Sequence, residues 1–336
     1  MLARINVRAL GIFSTVACLA LAAYVVDWRQ TIEAISRFDL PLVFVSLLLL
    51  LLTLFTFSMR WRTLLAVEHS PPPRRMFNFL MIGYLANAIL PARPGDIIRA
   101  ALLRQISGIS LSAGLASIVL ERMFDLLAIC LLGVICSFIT RLPPLVATAL
   151  YSLTVAGLGL LCALTLLAWR RDLIDRFVVR YPKLFRHAAA QFLAEWLRRF
   201  AAAVSIFNFP RRLGASVVLT LAGWGALALS LMVLLSAFHL VVPPAAALLV
   251  LVATNLGAVV PSSPGSIGVY HFMAVVALSV WGIEASTALA FAIGSHALAI
   301  AMHILLGLVG AWDEGIGVTG LTRIARPDLT ATPQGR

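Results

Sequence analysis

The chain has 336 residues, 61% of them hydrophobic and 12% charged, with a mean hydropathy of +1.00. Soluble domains carry roughly a quarter charged residues, so this composition excludes a soluble enzyme or binding module and describes an all-α polytopic membrane protein. The formal charge of +12 comes almost wholly from arginine; in so apolar a chain it marks cytoplasmic loops facing anionic lipid, not a nucleic-acid surface.

Arg4 and Arg8 precede an apolar run from Ala9 to Val26. Ala20-Leu21-Ala22 resembles a signal-cleavage site, but about 18 apolar residues reach spanning length, which favours a retained first helix. Leu40 to Met59 is the second span. Arg60, Arg62, Arg74 and Arg75 follow as a basic, cytoplasmic loop with Pro71-Pro72-Pro73 as a stiff connector. Met76 to Leu90 is apolar but too short for a comfortable crossing, and Ile97 to Leu103 is a second short piece. With basic residues at both ends, the pair reads as a re-entrant hairpin. Ala113 to Thr140 is a long span carrying Glu121, Arg122 and Asp125, and Pro143-Pro144 turns the chain into Leu145 to Trp169.

Residues 170–212 hold ten Lys/Arg against three Asp/Glu. Leu193, Trp196, Leu197, Phe200, Val204 and Phe207 repeat at helical spacing, as in an amphipathic helix on the cytoplasmic membrane surface. Leu213 to Leu240 spans again. Ala245 to Val260 and Gly268 to Trp281 are short apolar partners, Ile283 to Ala311 is the final span, and a polar tail follows. The expected organisation is one membrane domain, 1–312, with halves 1–169 and 213–312 joined by 170–212, then a flexible tail, 313–336. Six full transmembrane helices and two re-entrant hairpins put both termini in the cytoplasm. The first hairpin then enters from inside and the second from outside, as in an inverted repeat. The four cysteines (Cys18, Cys130, Cys136, Cys162) lie in apolar stretches without zinc or redox spacing and read as small packing residues.

Each hairpin turns at Pro-x-x-Pro-Gly. Pro91, Pro94, Gly95 and Ile97 match Pro261, Pro264, Gly265 and Ile267 at one offset, whereas Asn87 and Asn255 are two positions out of register. Proline and glycine break helices, and irregular backbone at membrane depth survives only where protein buries it or water reaches it. Asp96 and Ser266 are placed to cap the helices that restart, and exposed N–H groups at helix starts attract anions. Ser262 and Ser263 add donors to the second turn, and Arg93 and Arg99 flank the first. The bland alternative is a pair of tight turns that only shape packing.

Glu121, Arg122 and Asp125 share a restricted sector of one helix. A charge at the bilayer centre costs about 2.5–3.5 kcal/mol on insertion scales, so the three face the bundle and pair, with Arg93, Asp96 or Arg99 as partners. They read either as a headgroup pocket or as an internal lock. His296 and His303, seven apart, share a face, and His271 follows the second turn; too few ligands converge for a metal. Glu284 falls at a helix start as a cap. No phosphate loop, nucleophile elbow or metalloprotease motif is present, so no catalytic residue, metal or cofactor is expected.

Leu90-Pro91-Ala92-Arg93-Pro94-Gly95-Asp96-x-x-Arg99, Ala116-Ser117-x-x-x-Glu121-Arg122-x-x-Asp125 and Pro261-x-x-Pro264-Gly265-x-x-Gly268 together resemble the membrane domain of lysylphosphatidylglycerol synthases, over residues 10 to 312. Stand-alone bacterial and archaeal versions are called flippase-like. The resemblance implies movement of a polar-headed lipid across a bacterial inner membrane. With 25 residues after Ala311, the soluble aminoacyl-transferase domain of full-length synthases is not expected. Relatives linked to hopanoids and polyprenyl-linked sugars show that the substrate does not follow from the fold. The expected partners are membrane lipids, an anionic phospholipid or a lipid-linked substrate, and no nucleic acid. The expected headgroup-binding set is Asn87, Arg93, Asp96, Arg99, Glu121, Arg122, Asp125, Asn255, Ser262, Ser263, Ser266 and His271. The alternatives are a membrane-embedded transferase and a non-catalytic accessory protein of lipid or lipid-linked glycan biosynthesis.

Overall fold

The structure, a computed structural model, describes residues 29, 38–65, 70–90, 94–169, 209–258 and 264–317. The expected first span, the amphipathic segment up to residue 208, Pro91, Arg93, Pro261, Ser262, Ser263 and the tail from 318 lie outside the described residues.

All regular structure among the described residues is helical. α1 is Leu40–Leu64, α2 Pro73–Ile89, α3 Gly95–Ser107, α4 Leu111–Ile139, α5 Pro144–Trp169, α6 Pro210–Ala237, α7 Pro244–Gly257, α8 Val269–Leu278 and α9 Ala285–Asp313. Local chemistry sets the starts. Proline stands in the first turn of α1, α2, α6 and α7, where its missing N–H costs nothing. Asp39 Oδ1 accepts the Leu42 N–H at 3.2 Å to open α1, and Ser110 Oγ accepts the Ala113 N–H at 3.3 Å to open α4. Gly108, left-handed at φ +67°, ends α3.

α1, α6 and α9, of 25, 28 and 29 residues, are each long and apolar enough to cross a membrane. Pro144–Gly159, Pro244–Gly257 and Val269–Trp281 are shorter apolar helices. Leu48, Leu52 and Phe55 on α1 and Val218 and Leu221 on α6 point outward, as a hydrocarbon solvent allows and water does not. This is a multi-pass membrane protein.

α1 and α6 pack antiparallel against each other. Asp39 N donates to Ala237 O at 2.9 Å, Ser46 and Ser230 exchange hydroxyl bonds to each other's carbonyls at 3.1 and 2.9 Å, and Thr53 reaches Gly223 O at 3.3 Å. Interhelical bonds of this kind average about 0.6 kcal/mol in membranes, so close packing carries most of the contact. Gly223 provides it: a Cβ there would lie 2.4 Å from the Phe57 ring. α2 packs antiparallel on α9, through Gly307 against Leu85 and Met81 and Gly310 against Asn78. Where α2 starts and α9 ends, Arg74 pairs with Asp313, Arg75 Nε lies 3.2 Å from Glu314 Oε2, and Asn78 Nδ2 donates to Asp313 at 2.6 Å. α7 packs on α4, its first turn beside Cys136. Each short helix pair thus lays its first arm on the long helix that follows the other pair.

α1 extends five residues beyond its expected end at Met59. Arg60, expected in a cytoplasmic loop, is instead a fully buried residue of a membrane helix. The apolar run did not end there, because Phe57, Trp61 and Leu64 continue one buried face past it. Cys130 and Cys136 are buried as expected, whereas Cys162 is exposed.

Candidate functional site

In the first hairpin the arms α2 and α3 touch through backbone. The Gly95 N–H donates to Asn87 Oδ1 at 2.8 Å, and a Cβ on Gly95 would lie 2.1 Å from the Gly83 carbonyl oxygen. Asn87 therefore stitches the hairpin closed, and glycine is required where the second arm begins. α3 starts at Gly95 behind Pro94, with no side-chain cap. Asp96 does not cap, contrary to the sequence reading. It sits inside the first turn, where a carboxylate suits the dipole, and turns to Arg99 Nη2 at 2.9 Å.

The second hairpin closes differently. Gly257 on α7 meets Met273 and Val269 on α8. Asn255 Nδ2 donates back to Leu251 O at 2.8 Å within its own helix, so it does not mirror Asn87. Gly265, Ser266 and Gly268 all have positive φ, at +69°, +58° and +91°. Ser266 is not the cap expected of it, because this left-handed turn places it three residues before the helix starts. The cap position of α8 falls to Gly268, whose N–H donates to His271 Nδ1 at 3.2 Å. One imidazole nitrogen of His271 is therefore already engaged. Glu284 stands at the cap position of α9 but its side chain makes no bond to the helix N–H groups; its Oε1 accepts from Ser286 Oγ at 2.7 Å instead.

Where the second arm of the first hairpin meets α4 and α1 lies a network of three arginines and three carboxylates. Arg99 on α3 is 1% exposed and grips Glu121 on α4, also 1% exposed, through two bonds: Nη1 to Oε2 at 2.9 Å and Nη2 to Oε1 at 3.2 Å. Arg60 on α1, 0% exposed, donates to Asp125 Oδ1 at 2.6 Å and stands 3.7 Å from Glu121. Aromatic faces support both buried guanidiniums, Phe57 under Arg60 and Trp61 under Arg99, each at 4.7 Å. Trp224 Nε1 on α6 donates to Asp125 Oδ1 at 3.2 Å. Arg122 is the most exposed member, at 49%, and stands 3.3 Å from Asp96, 3.4 Å from Glu121 and 3.3 Å from Asp125. Buried charges persist only when paired and hydrogen-bonded, and the described members balance.

A cavity of about 350 Å³ opens from this network. Arg122, Asp125 and Trp224 line one end. Leu47, Leu50, Leu227 and Leu231 form apolar walls along α1 and α6, and Tyr84, Asn255, Tyr270, Ser295, His296 and His303 supply uncharged polar groups. Tyr270 stacks on His296 at 4.3 Å and meets Ser295 Oγ at 3.2 Å, and Tyr84 faces His303 at 4.7 Å. The lining runs from Phe57 back to Ser46 on α1 and from Trp224 on to Leu234 on α6. One turn further, Arg60, Trp61 and Thr220 are buried, so the network closes one end of the cavity.

The structure thus brings together Asp96, Arg99, Glu121, Arg122 and Asp125, with Asn255 on the cavity wall. Asn87, Ser266 and His271 serve the hairpin backbones. Sequence reasoning missed Arg60, Trp224, Tyr84 and Tyr270 as members of the site. A tryptophan N–H in mid-span needs an acceptor that lipid cannot supply, which is the signal that would have singled out Trp224.

A family profile described as the lysylphosphatidylglycerol synthase TM region matches residues 8–307. Among curated proteins, the chain is similar to a glycosyltransferase, AglD, of Haloferax volcanii, with 25% identity over 347 aligned positions, covering 92% of this chain and 54% of that protein. It is similar also to a UPF0104 membrane protein of Methanothermobacter thermautotrophicus, with 27% identity over 313 positions, covering 87% of this chain and 88% of that protein. The chain thus spans about half of the first relative and most of the second. No solved structure matches.

Proposed function

The chain belongs to the lysylphosphatidylglycerol synthase transmembrane-region family, and from that premise we propose that it is a lipid flippase of a bacterial inner membrane, moving a polar-headed lipid between leaflets. The observation that carries this reading is the cavity: a leucine-walled space ending at an accessible arginine has the amphiphilic character of a lipid, with hydrocarbon along α1 and α6 and a phosphate at Arg122. Glu121, itself held by Arg99, stands 3.4 Å from that arginine and helps to position it.

Helix directions support an inverted repeat. α1 with the α2–α3 hairpin and α4 corresponds to α6 with the α7–α8 hairpin and α9, and α1 and α6 run antiparallel. The start of α2 lies beside the end of α9, and the start of α7 beside the end of α4. The hairpins accordingly enter from opposite faces, with the arginines of the first on the cytoplasmic side and both termini inside. Alternating access in such folds rocks one repeat against the other around a central site.

The test is leaflet-specific headgroup labelling of a broad lipid panel in cells with and without the protein. One lipid should accumulate in the wrong leaflet; an unchanged transbilayer distribution for every lipid sinks the proposal. The likeness to a protein named as a glycosyltransferase favours a second reading, transfer onto a lipid-linked acceptor at the same cavity. Covalent product from an isotope-labelled donor and purified protein would select it.

A further inference from the structure

The distribution of charge around the cavity points to a substrate class, and this inference rests on reading the cavity as a lipid site. We propose that the preferred headgroup carries a phosphate and no ammonium group. The family takes its name from a lysylated, cationic lipid; the cavity of this chain is laid out for the opposite charge.

Two charged side chains line the cavity among the described residues, Arg122 and Asp125. Asp125 has little left to offer. Its Oδ1 takes Arg60 at 2.6 Å and Trp224 at 3.2 Å, and its Oδ2 takes Arg122 at 3.3 Å. A carboxylate has about four acceptor positions, and three are filled. An ammonium group seeking Asp125 as its counter-ion would have to share one carboxylate with two guanidiniums already on it, Arg60 at Oδ1 and Arg122 at Oδ2, and like charges around one acceptor repel.

Arg122 stands in the reverse position. Its carboxylate contacts are long, 3.3 to 3.4 Å, and its side chain is half exposed. Each carboxylate it touches keeps a buried partner when it turns away: Asp125 keeps Arg60, and Glu121 and Asp96 keep Arg99. Releasing Arg122 to a phosphate therefore strands no buried charge. The remaining polar lining is Asn255, Tyr84, Tyr270, the histidines and a set of serine and threonine hydroxyls. These provide uncharged hydrogen bonds, and protonation of an imidazole would only add positive charge.

The experiment is competitive lipid binding to the purified full chain in nanodiscs, read by native mass spectrometry, with phosphatidylglycerol, phosphatidylethanolamine and lysylphosphatidylglycerol as probes. All three offer a phosphate to Arg122, and the two amine-bearing headgroups also bring a like charge against it; a penalty the size of one charge-assisted contact corresponds to a preference of about tenfold or more for phosphatidylglycerol. Arg122→Gln abolishes that preference, and Arg122→Lys retains part of it. Equal binding of all three, a preference for either amine-bearing lipid, or a preference unaltered in Arg122→Gln overturns the assignment. Movement of the same lipids between leaflets of protein-containing vesicles separates the two claims. Selective binding without movement leaves the substrate class standing and removes the flippase; movement with a lysyl preference does the reverse.

Discussion

Arg99 and Glu121 illustrate how little freedom a buried ion pair leaves. Both are 1% exposed and joined by two hydrogen bonds. Removing one partner leaves the other charge uncompensated, at a cost of about 3–5 kcal/mol. Glu121→Gln should therefore lower the stability of the detergent-solubilised protein by that order in thermal or denaturant unfolding. Glu121→Gln combined with Arg99→Gln should cost less than the sum of the two single changes, because neither residue then strands the other; strict additivity would mean that the pair is not coupled. Arg74 offers the contrast. It also pairs with a carboxylate, Asp313, but is 79% exposed. Solvent screens such pairs to about 0–1 kcal/mol, so Arg74→Ala should be nearly silent in the same measurement. Hydropathy shows that charges occur inside apolar helices, but it carries no signal that distinguishes the buried arginine from the solvated one.

At the scale of an element, the two hairpins share a motif and differ in construction. The first needs Gly95 because the arms meet backbone to backbone, with a Cβ 2.1 Å from the Gly83 oxygen. The second uses its glycines for a left-handed turn at Gly265 and Gly268. Gly95→Ala should pry α2 from α3, break the Asn87 bond and leave the loop open to protease. Gly108→Ala provides the control: its φ is +67° but nothing lies within 4 Å, so it should cost only the left-handed penalty of about 1–2 kcal/mol. Comparable loss from both would show that the close approach does not matter. The breaks were legible because proline and glycine act locally. Their capping was not, since Asp96 had an arginine three residues on, and Ser266 was taken up by the turn before the helix began. The length of α1 was misread for a related reason: one arginine resembled the end of a span when a buried face continued beyond it.

Across the whole molecule, the antiparallel packing of α1 on α6 sets the starts of α2 and α7 at opposite ends. Single cysteines at Arg74 and Val241, both exposed, should react with a membrane-impermeant thiol reagent from opposite sides of sealed vesicles, in a background lacking the four native cysteines. Reaction from one side would end the inverted-repeat reading. A chain 61% hydrophobic with two Pro-x-x-Pro-Gly breaks could be read directly as a multi-pass helical protein interrupted twice, because hydropathy, proline and glycine express themselves within a few residues of where they stand. The pairing of the charges could not be read that way. Asp125 is held by Arg60, 65 positions before it, and by Trp224, 99 positions after it. Which arginine is buried as a counter-ion, and which is left facing the cavity, depends on how helices distant in the chain pack together, since burial and partnership belong to the assembled bundle and not to any one segment.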